Sequence, residues 1–245
     1  MTTATLTEIS RYTAPGATAT STGTRRIGSR KTYSRVIGVL FPLGFLCYGT
    51  GFALVSSVIG APDFLTTMPA HQTTLIAGAF LMLLNTVVDV AKGVLMFPIL
   101  EGHGKRTAVA YLAAMTLEAA LMAVGIVSLL MLAPLGAHAA DGWAAGLGSI
   151  LIQSNTMAYQ IAMMTLAVAN IFVWSLTFRV QLLPRVLSAW GIAGYVVLTA
   201  GSLAELFGIP VSLMASIPGG LFELALGAWL IIRGFIPAAY AKATA

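Results

Sequence analysis

The segment Asn85-Thr-Val-Val-Asp-Val-Ala-Lys92 places polar and charged side chains inside a long apolar run, from about Thr73 to Pro98. A run of this length crosses a bilayer as a helix, which needs roughly 20 residues. At about 100° per residue, Asn85, Asp89 and Lys92 fall on one face of that helix. A charge near the bilayer centre costs on the order of 3 kcal/mol. The segment therefore predicts a bundle in which this face turns toward other helices or a wet cavity.

The composition is that of an integral membrane protein. The chain has 245 residues, of which 58% are hydrophobic and 9% are charged, whereas soluble domains carry about 25% charged residues. The formal net charge of +5 is explained by membrane topology rather than by nucleic acid, because the basic residues lie at predicted helix ends and in the tails. The single cysteine, Cys47, excludes an intrachain disulfide.

Six apolar segments predict six membrane-spanning helices, at 36–60, 73–99, 107–133, 149–178, 186–208 and 212–234. Every Lys and Arg except Lys92 lies on the side of the N-terminus. By the positive-inside rule, we expect an all-α bundle of six helices with both termini cytoplasmic. The expected domains are a disordered basic tail at 1–32, a transmembrane domain at 33–236 and a short cytoplasmic tail at 237–245. Trp174, Trp190 and Trp229 are expected in the interfacial aromatic belt.

Three carboxylates on different predicted helices share one depth. Asp89, Glu118 and Glu223 each lie about ten residues from the cytoplasmic end of their helix, or about 15 Å at 1.5 Å per residue. That is close to the middle of a hydrocarbon core about 30 Å thick. Lys92 lies about one turn closer to the cytoplasm. We expect these four residues and Asn85 to form one buried binding site on helices two, three and six.

The charges of this group do not balance. Three ionised acids and one lysine leave two uncompensated negative charges in a low-dielectric interior. Either some acids are protonated, or a cation is bound, or water fills the site. A structural alternative is an Asp89–Lys92 pair within one helix, with protonated Glu118 and Glu223 joined to other helices by hydrogen bonds.

The fourth predicted helix carries a second polar face in its outer half. Gln153, Thr156 and Gln160 lie on that face, and Glu205 lies nearer the outer end of the fifth helix. We expect these residues to line a vestibule that leads from the outside toward the carboxylates.

Motifs for metal or catalytic chemistry are not evident. His71, His103 and His138 fall in or beside predicted loops, away from the depth of the carboxylates. No metal site, haem or other cofactor is therefore expected. The chain has no G-x-S-x-G or H-E-x-x-H motif, so no catalytic residue is assigned and an enzyme is not favoured.

Three stretches of the chain look like a known family. They are Tyr33-Ser-Arg-Val-Ile-Gly-Val-Leu, Leu183-Pro-Arg-Val-Leu-Ser-Ala-Trp-Gly191 and Phe222-Glu-Leu-Ala-Leu-Gly-Ala-Trp-Leu-Ile-Ile-Arg-Gly-Phe235. The chain resembles, over about residues 33–236, the bacterial membrane family called domain of unknown function 4386. This resemblance implies a multi-helix protein of the bacterial inner membrane, without an established activity, substrate or catalytic residue. Glu118 is similar to an acid expected in that family's third helix, whereas Lys92 is not expected from it.

The leading hypothesis is a membrane protein that binds or moves a proton, a cation or a small solute. Asp89, Glu118 and Glu223 would carry protons or coordinate the cation, and Lys92 would tune their charge. One alternative is a non-transporting membrane subunit or sensor whose acids are structural. Another is an intramembrane lipid-modifying enzyme. The expected partners are the lipid bilayer and the bound species, and a homo-oligomer is compatible with the sequence.

Overall fold

The computed structural model describes residues 29–244, and these residues form helices joined by short connections. The helices are α1 (Arg30–Ile59), α2 (Phe64–Glu101), α3 (Lys105–Leu130), α4 (Leu132–Leu135), α5 (Ala144–Val180), α6 (Arg185–Leu206), α7 (Ser212–Ile232) and α8 (Pro237–Thr244). A 3₁₀ turn, Gly136–His138, follows α4. The predicted disordered tail lies almost wholly outside the described residues.

Six long helices of the described chain have the length and apolar composition needed to cross a membrane. They are α1, α2, α3 with its short continuation α4, α5, α6 and α7. The prediction of an all-α bundle with six spans is confirmed, and this is the architecture of a multi-pass membrane protein. Three helices begin at least five residues earlier than expected: α1 at Arg30 rather than 36, α2 at Phe64 rather than 73, and α5 at Ala144 rather than 149. The segment expected to be a short tail forms α8.

The six long helices form a closed ring. Each packs against the long helix before it and the one after it in the chain, and α1 also packs against α7. Short connections make these neighbours antiparallel. In this order α1 lies opposite α5, α2 opposite α6 and α3 opposite α7, so that side chains from all six helices can meet inside the ring.

Glycines bring α1 very close to both of its neighbours. A Cβ atom on Gly51 would lie 2.6 Å from the carbonyl oxygen of Gly78 in α2. A Cβ atom on Gly38 would lie 2.8 Å from the carbonyl oxygen of Gly227 in α7. Small residues at such crossings allow two backbones to touch. These contacts fix the register of α1 and close the ring.

We call the end of the bundle where α1 begins and α8 packs the basic end, because the described Lys and Arg residues other than Lys92 lie there. The Nη1 atom of Arg30 donates a hydrogen bond to the carbonyl oxygen of Phe235 at 2.5 Å. His103, in the connection between α2 and α3, lies 3.0 Å through Nε2 from the carbonyl oxygen of Ala239 in α8. The described Lys and Arg residues of this end are Arg30, Lys31, Arg35, Lys105, Arg106, Arg179, Arg185, Arg233 and Lys242.

Trp174 does not take the interfacial position expected for it. It is only 1% exposed, and its indole packs edge-on against Phe222 with 4.9 Å between ring centroids. The expectation was wrong because this side of α5 faces the neighbouring helices of the ring. Trp190, in contrast, is 39% exposed.

A buried cluster of ionisable side chains

The polar face of α2 is buried and internally paired. Lys92 forms an ion pair with Oδ1 of Asp89 at 2.6 Å, and Nδ2 of Asn85 donates a hydrogen bond to Oδ2 of Asp89, also at 2.6 Å. Both carboxylate oxygens of Asp89 are therefore engaged by residues one turn away on the same helix. The ammonium of Lys92 also lies 5.1 Å from the centroid of the Phe41 ring in α1.

A glycine of α1 makes room for this group. A Cβ atom on Gly44 would lie 2.9 Å from Oδ1 of Asn85 and 3.6 Å from Nζ of Lys92. The polar face of α2 therefore packs directly against the backbone of α1 and does not face lipid.

The helix register places Glu118 at the level of Asp89. A Cβ atom on Gly93 of α2 would lie 3.1 Å from Met115 of α3. Because the two helices are antiparallel, moving three residues forward along α3 corresponds to moving about three residues back along α2. Glu118 and Asp89 therefore lie at about the same level on neighbouring helices.

The register of α7 places Glu223 at the same level. Gly220 of α7 lies against Phe45 of α1, and Gly227 lies against Gly38. Glu223 falls between these two contacts, level with Phe41, whose ring faces Lys92. The shared depth that the sequence suggested is thus present in the packing of α1, α2, α3 and α7.

The four charged groups are close enough to interact electrostatically. Glu118 interacts with Asp89, Lys92 and Glu223, and Lys92 interacts with Glu223 as well as with Asp89. Electrostatic interactions therefore join the four charged residues expected at the site, and Asn85 joins them through its hydrogen bond to Asp89. Tyr111 of α3 also interacts with these charges.

Glu118 differs from the other two acids in its surroundings. Its side chain is 1% exposed, and its Oε2 atom has no hydrogen-bond partner among the described residues. A buried polar atom that lacks a partner costs about 1–3 kcal/mol. A proton would remove the charge of this carboxyl, and a water molecule or a ligand would supply the missing hydrogen bond.

Glu223 is held from a neighbouring helix. The hydroxyl of Tyr195 in α6 donates a short hydrogen bond to Oε1 of Glu223 in α7. Tyr195 is 2% exposed, whereas Glu223 is only partly buried. This bond crosses between two helices, as the structural alternative expects.

Two stacked tyrosines bridge the interior of the ring. Tyr48 of α1 and Tyr159 of α5 stack with 5.6 Å between ring centroids and 18° between ring planes. Both interact electrostatically with Glu118. Sequence reasoning missed Tyr48 as a site residue, although a signal was present. Tyrosines of membrane helices concentrate at the interfaces, whereas Tyr48 lies in the middle of the predicted span 36–60.

The four predicted vestibule residues do not share one environment. Gln153 is exposed, whereas Gln160 is 2% exposed and its Oε1 atom has no partner among the described residues. The hydroxyl of Thr156 donates to the carbonyl oxygen of Ile152 at 3.3 Å. Oε2 of Glu205 accepts a hydrogen bond from the backbone N–H of Val211 at 2.9 Å, so Glu205 holds the connection between α6 and α7.

Metal ligands are sparse in residues 29–244. This part of the chain contains no group of three or more His, Cys, Asp or Glu side chains that could hold a metal ion. His138 and Asp141 form an exposed pair, in which Nδ1 of His138 lies 3.0 Å from Oδ2 of Asp141.

The fold and this cluster define a class of protein: a multi-pass helical membrane protein whose ring of six helices encloses ionisable side chains. The chain belongs to the family described as Domain of unknown function (DUF4386), whose model matches residues 36–234. That match covers the six long helices, except for the first six residues of α1, and all four charged residues of the cluster. No curated protein and no solved structure matches the chain.

Proposed function

We propose that this protein binds and exchanges protons at the centre of its helix ring and couples them to the movement of a small solute. Its location would be the bacterial inner membrane, with both termini cytoplasmic. Glu118 and Glu223 carry the exchangeable protons, while Asp89 and Lys92 form a fixed pair beside them. The observation that carries the proposal is the nearly complete burial of Glu118 with an unpartnered Oε2 atom.

The balance of charge supports these roles. Lys92 is paired with Asp89 at 2.6 Å, so Asp89 is already neutralised. Glu118 and Glu223 then remain as two acids at the same depth. Two negative charges inside a membrane protein are neutralised by protons or by a bound cation, and intramembrane acids of this kind typically serve proton or ion pathways.

A second candidate function is a non-transporting membrane subunit whose acids hold helices together. The hydrogen bond between Tyr195 and Glu223 favours it, because this bond joins α6 to α7. The two candidates differ at Glu118. A structural role predicts that Glu118→Gln lowers the resistance to unfolding about as much as Tyr195→Phe does. A proton site predicts that Glu118→Gln keeps its fold and loses a titrating group.

The proposal is tested by infrared spectroscopy of the protein reconstituted in lipid, titrated between about pH 4 and pH 10. A protonated carboxyl has a C=O stretch separate from that of a carboxylate. We expect a band that disappears as the pH rises and that Glu118→Gln removes. Asp63→Asn is the matched control, because it makes the same carboxyl-to-amide change at an exposed position outside the cluster.

Retention of the complete carboxyl titration in both Glu118→Gln and Glu223→Gln would contradict the proposal. So would a wild-type protein in which neither acid changes its protonation state across this range.

A further inference from the structure

The interior of the helix ring already holds one ammonium group, that of the Lys92 side chain. The ammonium of Lys92 lies between the carboxylate of Asp89, at 2.6 Å, and the aromatic ring of Phe41, at 5.1 Å from the centroid. A carboxylate supplies the counter-charge and an aromatic face adds cation–π attraction, which is worth about 2 kcal/mol when desolvated.

Beside this pair, the same two kinds of group occur again around Glu118. The carboxyl of Glu118 is 1% exposed. The stacked rings of Tyr48 and Tyr159 bridge the ring of helices, and both tyrosines interact electrostatically with Glu118. Lys92, the basic side chain among the charges that interact with Glu118, is already paired with Asp89. A second carboxylate with aromatic neighbours is thus present without an ammonium of its own.

The unsatisfied atoms indicate what kind of ligand is missing. Oε2 of Glu118 and Oε1 of Gln160 both lack partners among residues 29–244, and both are acceptors once Glu118 is ionised. The packing of α3 against α5 places Glu118 and Gln160 at similar levels, because Gly125 of α3 lies against Asn155 and Ala158 of α5. Gln160 therefore lies at a level between Glu118 and Gly125. Two buried acceptors call for a donor, and a protonated amine supplies both donors and positive charge.

We propose that Glu118, Gln160, Tyr48 and Tyr159 form a site for a protonated primary amine, whose binding displaces the proton that Glu118 otherwise carries. This inference rests on the proposed function and names the class of solute. In the exchange, the ammonium enters as a cation, the neutral carboxyl of Glu118 releases one proton to solvent, and an ion pair remains. Since Asp89 is already paired with Lys92, the new ion pair adds no net charge to the cluster.

The experiment measures amine binding and proton release together. Purified protein in lipid nanodiscs is titrated with benzylammonium at about pH 8 in weak buffer, below the usual pKa of an alkylamine. Binding is followed calorimetrically and released protons with an indicator dye. Benzyltrimethylammonium, which keeps the charge but has no N–H donor, and benzyl alcohol, which is neutral, are the control ligands.

We expect benzylammonium to bind best and to release about one proton per molecule bound. Glu118→Gln should abolish both signals, whereas Asp63→Asn, which makes the same carboxyl-to-amide change at an exposed position, should leave both unchanged. Tyr159→Phe, which keeps the ring, should stay within about threefold of wild type. Tyr159→Leu should weaken binding about tenfold, as expected for loss of one aromatic contact to a desolvated cation.

Equal binding of benzyl alcohol and benzylammonium, or amine binding by Glu118→Gln at wild-type strength, would overturn the inference. An undiminished affinity in Tyr159→Leu would also overturn it, independently of how Glu118→Gln folds. If the infrared band of Glu118 titrates but no amine binds at about 10 mM, well above common substrate constants, the amine site is wrong and the proton site stands. If that band is also missing, both proposals fail.

Discussion

Replacing Lys92 by methionine tests the balance of charge within the cluster. Methionine keeps an unbranched apolar chain of similar length and removes the ammonium. Asp89 would then keep its hydrogen bond from Asn85 and lose its ion pair at 2.6 Å. Both members of the pair are 6% exposed, and breaking a buried pair from one side costs about 3–5 kcal/mol. We expect the free energy of unfolding of Lys92→Met to fall by about that amount.

The double variant Asp89→Asn/Lys92→Met separates charge from packing. Replacing both members of a buried pair by neutral groups is often neutral or stabilising, so the double variant should lie within about 1 kcal/mol of wild type. Lys105→Met is the matched control, because Lys105 is exposed at the basic end, and surface changes are usually within about 0.5 kcal/mol.

The measurement is reversible unfolding in lipid bicelles, followed by steric trapping at two labelled sites on the chain. A Lys92→Met variant as stable as wild type would refute the argument that Asp89 depends on its ion pair. A double variant as unstable as the single one would show that packing of the lysine stem, rather than charge, is responsible.

Two further predictions concern parts of the fold away from the cluster. Gly51→Ala should lower the free energy of unfolding by about 1–3 kcal/mol, because its Cβ atom would lie 2.6 Å from a backbone oxygen of α2. Gly49→Ala, whose Cβ atom would have nothing within 4 Å, should change the free energy of unfolding by less than about 1 kcal/mol. Equal effects of the two variants in the same unfolding assay would contradict the close-packed crossing of α1 and α2. Burial, helped by nearby Lys242, lowers the pKa of His103 below its usual 6.5, although the hydrogen bond to Ala239 acts the other way. Since the folded state favours the neutral imidazole, docking of α8 should be complete above about pH 6.5 and should weaken as the pH falls through the pKa of His103 in the folded protein. The measurement is deuterium exchange of the α8 amides, corrected for intrinsic rates. Acidification should reduce their protection in wild type but not in His103→Asn.

The number of spans was predictable because long apolar runs and the positions of Lys and Arg are strong, local signals. Closure of the ring between α1 and α7 was not, since it depends on a contact between Gly38 and Gly227 far apart in the chain. The environment of Trp174 was also missed. Its distance from the helix end was read correctly, but the direction in which it points depends on the rotation of α5.

The candidate site could also be predicted from the sequence only in part. The common depth of Asp89, Glu118 and Glu223 followed from counting residues along predicted helices. The i,i+3 pair of Asp89 with Lys92 was foreseen as an alternative, because it lies within one helix. The bond from Tyr195 to Glu223 was not foreseen, because it requires the relative rotation of two helices, which periodicity does not specify.

The central claim is that Glu118 exchanges its proton with solvent and is not a sealed structural acid. The most direct measurement transfers the reconstituted protein from H₂O to D₂O and follows the C=O band that Glu118→Gln removes. The account predicts that this band shifts to its deuterated position within minutes, while the protein remains folded. A band that keeps its position for days, while exposed carboxyl groups exchange at once, would contradict the account and identify Glu118 as a buried structural residue.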